Sequence, residues 1–217
     1  MKKAEAERII LGSGYIHLKT YEKGQEIPNP EDFCEENTLF AYIKGGATIE
    51  YAPEFYEAKD DMQKVAKAIV TNEEVTLKTG IMTFTGNTIA KLCDTARVSE
   101  RENTVSGKKY RVVQIGGAGN AKGEKYVICF HHVDKVDRDI YLMIIGQNQA
   151  GFSLAFAKDS ETVVDAEFHA LPSDGEGTLV TYTEEIIGEE SGGAAAGTQG
   201  ASGGSSTGSG KDEEAGG

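Results

Sequence analysis

Two adjacent histidines are the residues of this chain with the most evident capacity for chemistry. His131 and His132 are followed by Asp134, and imidazole and carboxylate groups are common ligands of transition metals. The surrounding run is typical of a strand, in which neighbouring side chains point to opposite faces, so both histidines cannot ligate one ion without distortion. His17 and His169 each stand alone in their own predicted strands. The sequence therefore predicts no metal site and no cofactor.

Two other kinds of site, a phosphate-binding turn and a catalytic centre, also find little support in the sequence. The glycine-rich residues 116–119 follow a predicted strand, as a phosphate-binding turn does, but a second β-run begins at Lys125 where such a turn needs a helix. A hairpin turn is the better interpretation. No serine or cysteine lies in a recognisable nucleophile motif, and the acidic pairs at 35–36, 60–61 and 184–185 are typical of solvated faces. The sequence predicts a protein that is not an enzyme, although a triad assembled by folding leaves no local trace.

Cysteine usage and charge narrow the class of protein. Cys34, Cys93 and Cys129 are odd in number and widely spaced, which favours a reducing compartment over a disulfide framework. The formal net charge is −13; residues 188–217 hold five acidic residues and one basic residue, which leaves about −9 for the rest. An acidic surface without basic stripes is a poor match for a nucleic-acid-binding protein.

Composition divides the chain in two. Residues 188–217 contain no Val, Ile, Leu, Met or aromatic residue, which predicts a flexible tail that acts as a linker or a solubilising segment. Residues 1–187 are enough for one domain with a substantial core, of which 1–13 are predicted to form a flexible N-terminal extension. The apolar run at 9–11 is too short for a signal peptide or a membrane span, so we expect synthesis and retention in the cytoplasm.

The elements that carry these residues are mainly strands. Alternating or β-branched runs predict strands at 15–21, 39–51, 73–85, 109–115, 125–133, 139–145, 161–170 and 179–182, and a strand or turn at 152–157. A glycine pair at 45–46 predicts a bend within the second strand. The run at 139–145 is apolar enough for burial on both faces. One helix is predicted after an N-cap at Asn87, with an apolar stripe of Ile89, Leu92, Cys93 and Ala96. The predicted fold is a mainly β sandwich or barrel of about eight strands with one flanking α-helix.

The connection at 53–71 is the anomaly of this pattern. It is longer than an ordinary hairpin loop and carries large apolar side chains that a purely solvated loop does not need. Two interpretations stay open. Met62, Val65, Ala66 and Ile69 have the spacing of a short helix lying on the same subunit, or the segment docks on a neighbouring chain.

Ordered phrases along the chain resemble the major tail (tail tube) protein of long-tailed, non-contractile bacteriophages and prophages. They are YIKGGATIEY at 42–51, PEFY at 53–56, DD at 60–61, GNTI at 86–89, LC at 92–93, TARV at 95–98, VD at 136–137, DI at 139–140, GQNQAGF at 146–152, LAFAKD at 154–159 and EGTL at 176–179. The resemblance spans roughly 10–187 and does not extend to residues 188–217.

The resemblance implies a virion structural protein. Such subunits associate into homo-hexameric rings whose inner sheets surround a lumen, and the rings stack into the conduit for DNA ejection into the host. It also implies a tape-measure protein, a tail terminator and tail tip proteins as partners, double-stranded DNA that passes through without specific binding, and synthesis in the bacterial host cytoplasm. The family's long loop between two inner strands reaches a neighbouring subunit. Here that loop is 53–71, and the expected subunit-interface residues are Phe55, Tyr56, Asp60, Asp61, Met62, Val65 and Ile69.

Two alternatives accompany this hypothesis. One is a tube subunit of a contractile or secretion-type injection machine, which a neighbouring sheath gene would favour. The other is a monomeric β-sandwich binding module whose long loop binds a carbohydrate or a peptide.

The acidic charge of the chain suits the lumen of a tube, because like charges keep a DNA duplex from adhering during transit.

Overall fold

The computed structural model describes residues 12–59, 61–62, 66–134 and 138–185. Within these residues the chain is mainly β, as predicted. The strands are β1 (Gly14–Tyr21), β2 (Leu39–Lys59), β3 (Ala66–Ile81), β4 (Arg97–Glu102), β5 (Lys109–Gln114), β6 (Lys125–His132), β7 (Ile140–Asn148), β8 (Val164–Leu171) and β9 (Thr181–Glu184). The helices are α1 (Pro30–Phe33) and α2 (Gly86–Leu92), with short 3₁₀ turns at Glu36–Thr38 and Ala118–Asn120. No helix in the described ranges has both the length and the apolar character needed to cross a membrane.

Six strands form a closed antiparallel ring. The hydrogen-bonded order is β6-β1-β2-β3-β8-β7, and β7 pairs back with β6. On its other side, β7 pairs with β9 over Ile140–Met143 and with β8 over Ile145–Asn148. Ring closure leaves these strands without the free edges on which open sheets aggregate. The strands β4 and β5 form a separate two-stranded sheet.

The interior of the ring is the main core. Each of the six strands contributes inward-pointing side chains that are almost fully buried, among them Ile16, Ala41, Leu77, Ile128, Ile144 and Phe168. A second apolar cluster lies on the outer face of β6 and β7, where α1 and the residues around it cover the sheet; it contains Phe33, Val127, Cys129, Met143 and Ile145. The prediction that the run at 139–145 is buried on both faces is confirmed.

Glycines permit two irregular places in the ring. Gly45 and Gly46 have φ of +82° and +78°, and the register of β2 against β3 jumps there from Lys44 to Ala47. This is the bend that the glycine pair predicts. Where β7 meets β8, a Cβ on Gly146 would lie 2.2 Å from the carbonyl oxygen of His169, so only glycine fits.

The helical predictions need correction. The helix begins at Gly86, after Thr85, whose backbone N–H donates to Oγ1 of Thr88 at 3.1 Å, so Asn87 is not the N-cap. It ends at Leu92, which leaves Cys93 outside the helix and only partly buried. The predicted single helix is joined by α1, whose one turn is too short to leave a periodic signal.

The strand pattern also differs from the prediction in two places. Residues 152–157 form neither a strand nor a turn, and the sequence pattern misses β4 because its side chains are nearly all polar. The glycine-rich segment at 116–119 is not a hairpin turn, since β5 and β6 belong to different sheets. It is held instead by side chains after α2: Thr95 Oγ1 accepts from Gly116 N–H at 3.2 Å, and Asp94 Oδ1 accepts from Gly123 N–H at 2.8 Å.

The connection at 53–71 forms strands over most of its length. β2 continues to Lys59 and β3 begins at Ala66, so Ala66 and Ile69 lie in a strand and the short-helix interpretation is wrong. Antiparallel pairing between β2 and β3 gives the backbone N–H and C=O groups of this segment their hydrogen-bond partners, so a helix is not needed. The predicted extension at 1–13, apart from Gly12 and Ser13, and the predicted tail at 188–217 lie outside the described residues.

Candidate interaction surface

The long hairpin of β2 and β3 extends beyond the ring. The neighbouring strand β1 pairs with β2 only as far as Tyr42, and β8 pairs with β3 only from Thr76 onwards. Residues 52–59 and 66–74 therefore pair only with each other, and we call them the arm. An isolated two-stranded hairpin is marginally stable in water, so the arm depends on its attachment to the ring and on what it contacts.

The register of the arm fixes its two faces. Phe55 lies opposite Val70 and Tyr56 lies opposite Ile69. Thr71 is the extra residue of a bulge between these pairs and the base of the arm, and its hydroxyl donates to the carbonyl oxygen of Glu54 at 3.3 Å. Because directly opposed residues share a face, each of the two apolar pairs occupies a different face.

The first face continues the core-facing side of the sheet. Within the ring this side carries the opposed residues Ile49 and Leu77, both part of the main core. Further out it carries Tyr51, Phe55 and Val70, which are 56%, 60% and 47% exposed. The apolar side of the hairpin thus runs past the end of the core and is left uncovered.

The second face is more polar but has an apolar pair of its own. Tyr56 and Ile69 are 59% and 48% exposed and lie among the charged residues Glu54, Lys67 and Glu74. An ordinary half-buried ribbon has apolar residues on one face and polar residues on the other. The arm differs because both of its faces expose an aromatic side chain beside a branched aliphatic one.

The expected interface residues are only partly brought together. Tyr56 and Ile69 form a cross-strand pair on one face of the arm, and Phe55 lies on the opposite face. Asp61 and Met62 lie at the tip of the arm, where Met62 is 74% exposed. Asp60 and Val65 lie outside the described residues. Sequence reasoning missed Val70, which a correct register for β2 against β3 would have placed opposite Phe55.

Charged groups at the base of the arm are paired. Lys78 Nζ donates to Glu50 at 2.7 Å and lies 3.5 Å from Glu167, and the bond to Glu50 is the main cause that raises the pKa of Lys78. The Tyr51 hydroxyl donates to Glu73 at 2.6 Å, which raises the pKa of that phenol. These polar groups have partners within the chain, whereas the apolar pairs further out have none among the described residues.

The histidines occupy different surroundings from those predicted. His131 and His132 do point to opposite faces: His132 bonds to the carbonyl oxygen of Ser13 at 2.9 Å, and His131 bonds to Asp139 at 2.9 Å. His17 is the single histidine of β1, and pairing of β1 with β6 brings its ring to 6.1 Å from that of His131, a proximity that the sequence alone does not show. His169 bonds to Glu74 at 2.8 Å.

Comparison with known proteins adds no relative: no protein-family model matches this chain, and no similar protein was found among curated sequences.

Proposed function

We propose that this protein is a structural subunit of a bacteriophage tail tube, which self-assembles into stacked hexameric rings that form the conduit for DNA. The proposal combines the resemblance of residues 10–187 to the major tail proteins of long-tailed, non-contractile phages with the exposed apolar pairs of the arm. In this assembly the arm reaches a neighbouring subunit or ring.

The observation that carries the proposal is the exposure of two apolar cross-strand pairs, Phe55 with Val70 on one face of the arm and Tyr56 with Ile69 on the other. Full burial of an aromatic or branched aliphatic side chain contributes roughly 1.5–3 kcal/mol relative to leaving it exposed. An arm inserted between two surfaces buries both pairs at once, which helps to offset the entropic cost of association. A monomer gains nothing from this arrangement and carries an aggregation risk.

The charge of the chain is compatible with a DNA conduit. The formal net charge of −13 disfavours adhesion to the phosphates of a passing duplex. Tube subunits need no catalytic centre, and the proposal assigns none. The partners that follow from this role are further copies of the chain, a tape-measure protein, a terminator and tip proteins, with the virion tail as the final location.

Deletion of residues 57–68, which shortens the arm, tests this function. We expect a folded monomer by circular dichroism and sedimentation that forms no tubes under the electron microscope. A matched control replaces residues 103–108, the turn between β4 and β5, with a two-residue turn and should assemble like the parent chain. Tubes of normal length from the shortened arm would refute the docking role.

A further inference from the structure

A cluster of nitrogen and sulfur ligands lies on the outer face of the ring, away from the arm. Pairing of β1 with β6 places His17 opposite Cys129 and Tyr15 opposite His131, all on the face that the segment around α1 covers. Cys34, directly after α1, completes the group. One ligand atom from each of His17, Cys34 and His131 lies within 4.8 Å of the other two.

We propose that His17, Cys34 and His131 form a zinc site that fastens the segment between β1 and β2 to the ring. Imidazole nitrogen and thiolate sulfur are the ligands that Zn²⁺ prefers. Around a tetrahedral Zn²⁺ such atoms are roughly 3.3–3.6 Å apart, as follows from metal–ligand bonds of about 2.0–2.3 Å. Side-chain movements of about 1.5 Å or less would therefore bring the three ligand atoms to these distances around an ion.

The groups behind the two imidazoles orient them as ligands. His131 uses Nε2 to contact Asp139 Oδ2 at 2.9 Å and stacks on Tyr141 with ring centroids 4.4 Å apart, which leaves Nδ1 for a metal. A carboxylate bonded to the second nitrogen is the usual support of a zinc-bound histidine. It fixes the tautomer and increases the basicity of the ligating nitrogen.

His17 is fixed in a comparable way by Thr38. The Thr38 hydroxyl oxygen is 2.6 Å from the carbonyl oxygen of Phe33 and 2.9 Å from that of Glu35, so its single proton is committed to a carbonyl. Nδ1 of His17, 3.0 Å away, must therefore be the donor to Thr38, and Nε2 keeps its lone pair.

Cys129 supports the thiolate ligand. Its Sγ lies 3.4 Å from Sγ of Cys34 and is fully buried. A Cys34 thiolate bound to Zn²⁺ can accept a hydrogen bond from the Cys129 thiol, which balances the negative charge on sulfur.

The site has an open side. A cavity of about 400 Å³ is lined by the three ligands together with Tyr15, Glu35 and Tyr42. Tyr15 is 40% exposed, so the cavity reaches the surface and gives an ion a path of entry. The same space can hold a water molecule as the fourth ligand of a tetrahedral ion.

The test uses the full chain, purified without a polyhistidine tag and kept reduced by a phosphine. Zn²⁺ alone is titrated against a chromophoric chelator, and Co²⁺ is used as a spectroscopic substitute. The variants are Cys34→Ser, His131→Gln and Asp139→Asn. Cys93→Ser and His169→Gln are matched controls, since each removes the same ligand type from elsewhere in the fold. Circular dichroism checks that each variant is folded.

We expect one Zn²⁺ per chain in the parent protein and both controls, with a sulfur-to-cobalt charge-transfer band. Cys34→Ser should lose that band and bind Zn²⁺ at least about 100-fold more weakly. His131→Gln should bind Zn²⁺ just as weakly but keep the band. Asp139→Asn should keep the stoichiometry and the band but weaken binding about 10–100-fold. Zn²⁺ should raise the melting temperature of the parent protein and not that of Cys34→Ser.

Three outcomes overturn the proposal. They are the absence of Zn²⁺ binding by the reduced parent chain, equal binding by the parent and Cys34→Ser, and a charge-transfer band that Cys93→Ser removes. A Cys34–Cys129 disulfide that forms in the parent chain, with no Zn²⁺ bound after its reduction, would show that the two thiols are a redox pair instead.

Discussion

Two hairpins of this protein extend beyond its closed ring of strands, and they differ in the side chains that they expose to solvent. The arm exposes the cross-strand pair of Phe55 and Val70 on one face and the pair of Tyr56 and Ile69 on the other. The second hairpin, which we call the ribbon, consists of β4 and β5, and opposite charges face each other along it. Glu100 pairs with Arg111 at 3.4 Å, and Glu102 lies opposite Lys109.

Valines lie near the base of the ribbon, and Tyr110, which is 50% exposed, lies near its tip. Val98 lies opposite Val113, and a Cβ on Gly86 of α2 would come within 2.8 Å of a Val113 methyl group. Helix α2 thus packs on Val113, whereas Val98 is 41% exposed. The ribbon carries charge pairs beside its exposed apolar side chains, whereas the arm has two neighbouring cross-strand pairs that are wholly apolar.

The contrast favours the arm as the interface of the proposed assembly. Exposed cross-strand charge pairs contribute little to stability but keep an edge soluble, and they discourage sheet-to-sheet pairing. Exposed aromatic and branched side chains on both faces are typical of a surface that is buried in an assembly. Three predictions separate the two hairpins, beginning with the largest effect, and a fourth concerns residues 188–217.

The double variant Phe55→Ser with Tyr56→Ser should abolish assembly at concentrations where the parent chain forms tubes. Both faces of the arm lose their aromatic contact, while the fold is retained because both side chains are exposed in the subunit. Sedimentation velocity measures assembly and thermal melting measures folding. The matched control is Tyr110→Ser in the ribbon, where a tyrosine of similar exposure is removed. Loss of assembly in the control as well would remove the distinction between the hairpins.

The single variants Phe55→Ala and Tyr56→Ala should each raise the critical concentration for assembly about 30-fold. This corresponds to about 2 kcal/mol, the usual loss at an aromatic position that anchors an interface. Light scattering over a dilution series gives the value. A large effect of Phe55→Ala with none of Tyr56→Ala would mean that only the core-continuing face of the arm is covered.

The ribbon variant Glu100→Ala with Arg111→Ala should change the critical concentration by less than about fivefold. The pair is exposed, and such pairs contribute at most about 1 kcal/mol. The same dilution series applies. An effect as large as that of Phe55→Ala would show that the ribbon is also an interface.

Removal of residues 188–217 should leave assembly unchanged, because this segment has no Val, Ile, Leu, Met or aromatic side chain with which to stabilise a contact. Microscopy of the truncated chain is the measurement. If the truncated chain fails to assemble, the tail is more than a passive appendage.

The fold class could be predicted because two-residue periodicity is a local property. Residues such as Leu77 and Phe168 alternate with polar neighbours, and the alternation identifies the buried face without knowledge of the partner strand. The bend at Gly45 and Gly46 could be predicted for the same reason, since only glycine occupies positive φ without strain.

The arm and the metal-ligand cluster required information that no local pattern holds. Ala66 and Ile69 fit a helical spacing as well as a strand, and the backbone pairing with Lys59 and Tyr56 decides between them. The cluster depends on the register of β1 against β6, which brings together His17 and His131 from distant parts of the sequence. A shift of one residue would send His17 to the other face of the sheet.

Negative-stain electron microscopy of the purified full chain over a range of concentrations tests the central claim most directly. The account predicts annuli with six-fold symmetry and a central channel, which stack into tubes as the concentration rises. A monodisperse monomer at every concentration would contradict it and would favour a β-sandwich binding module.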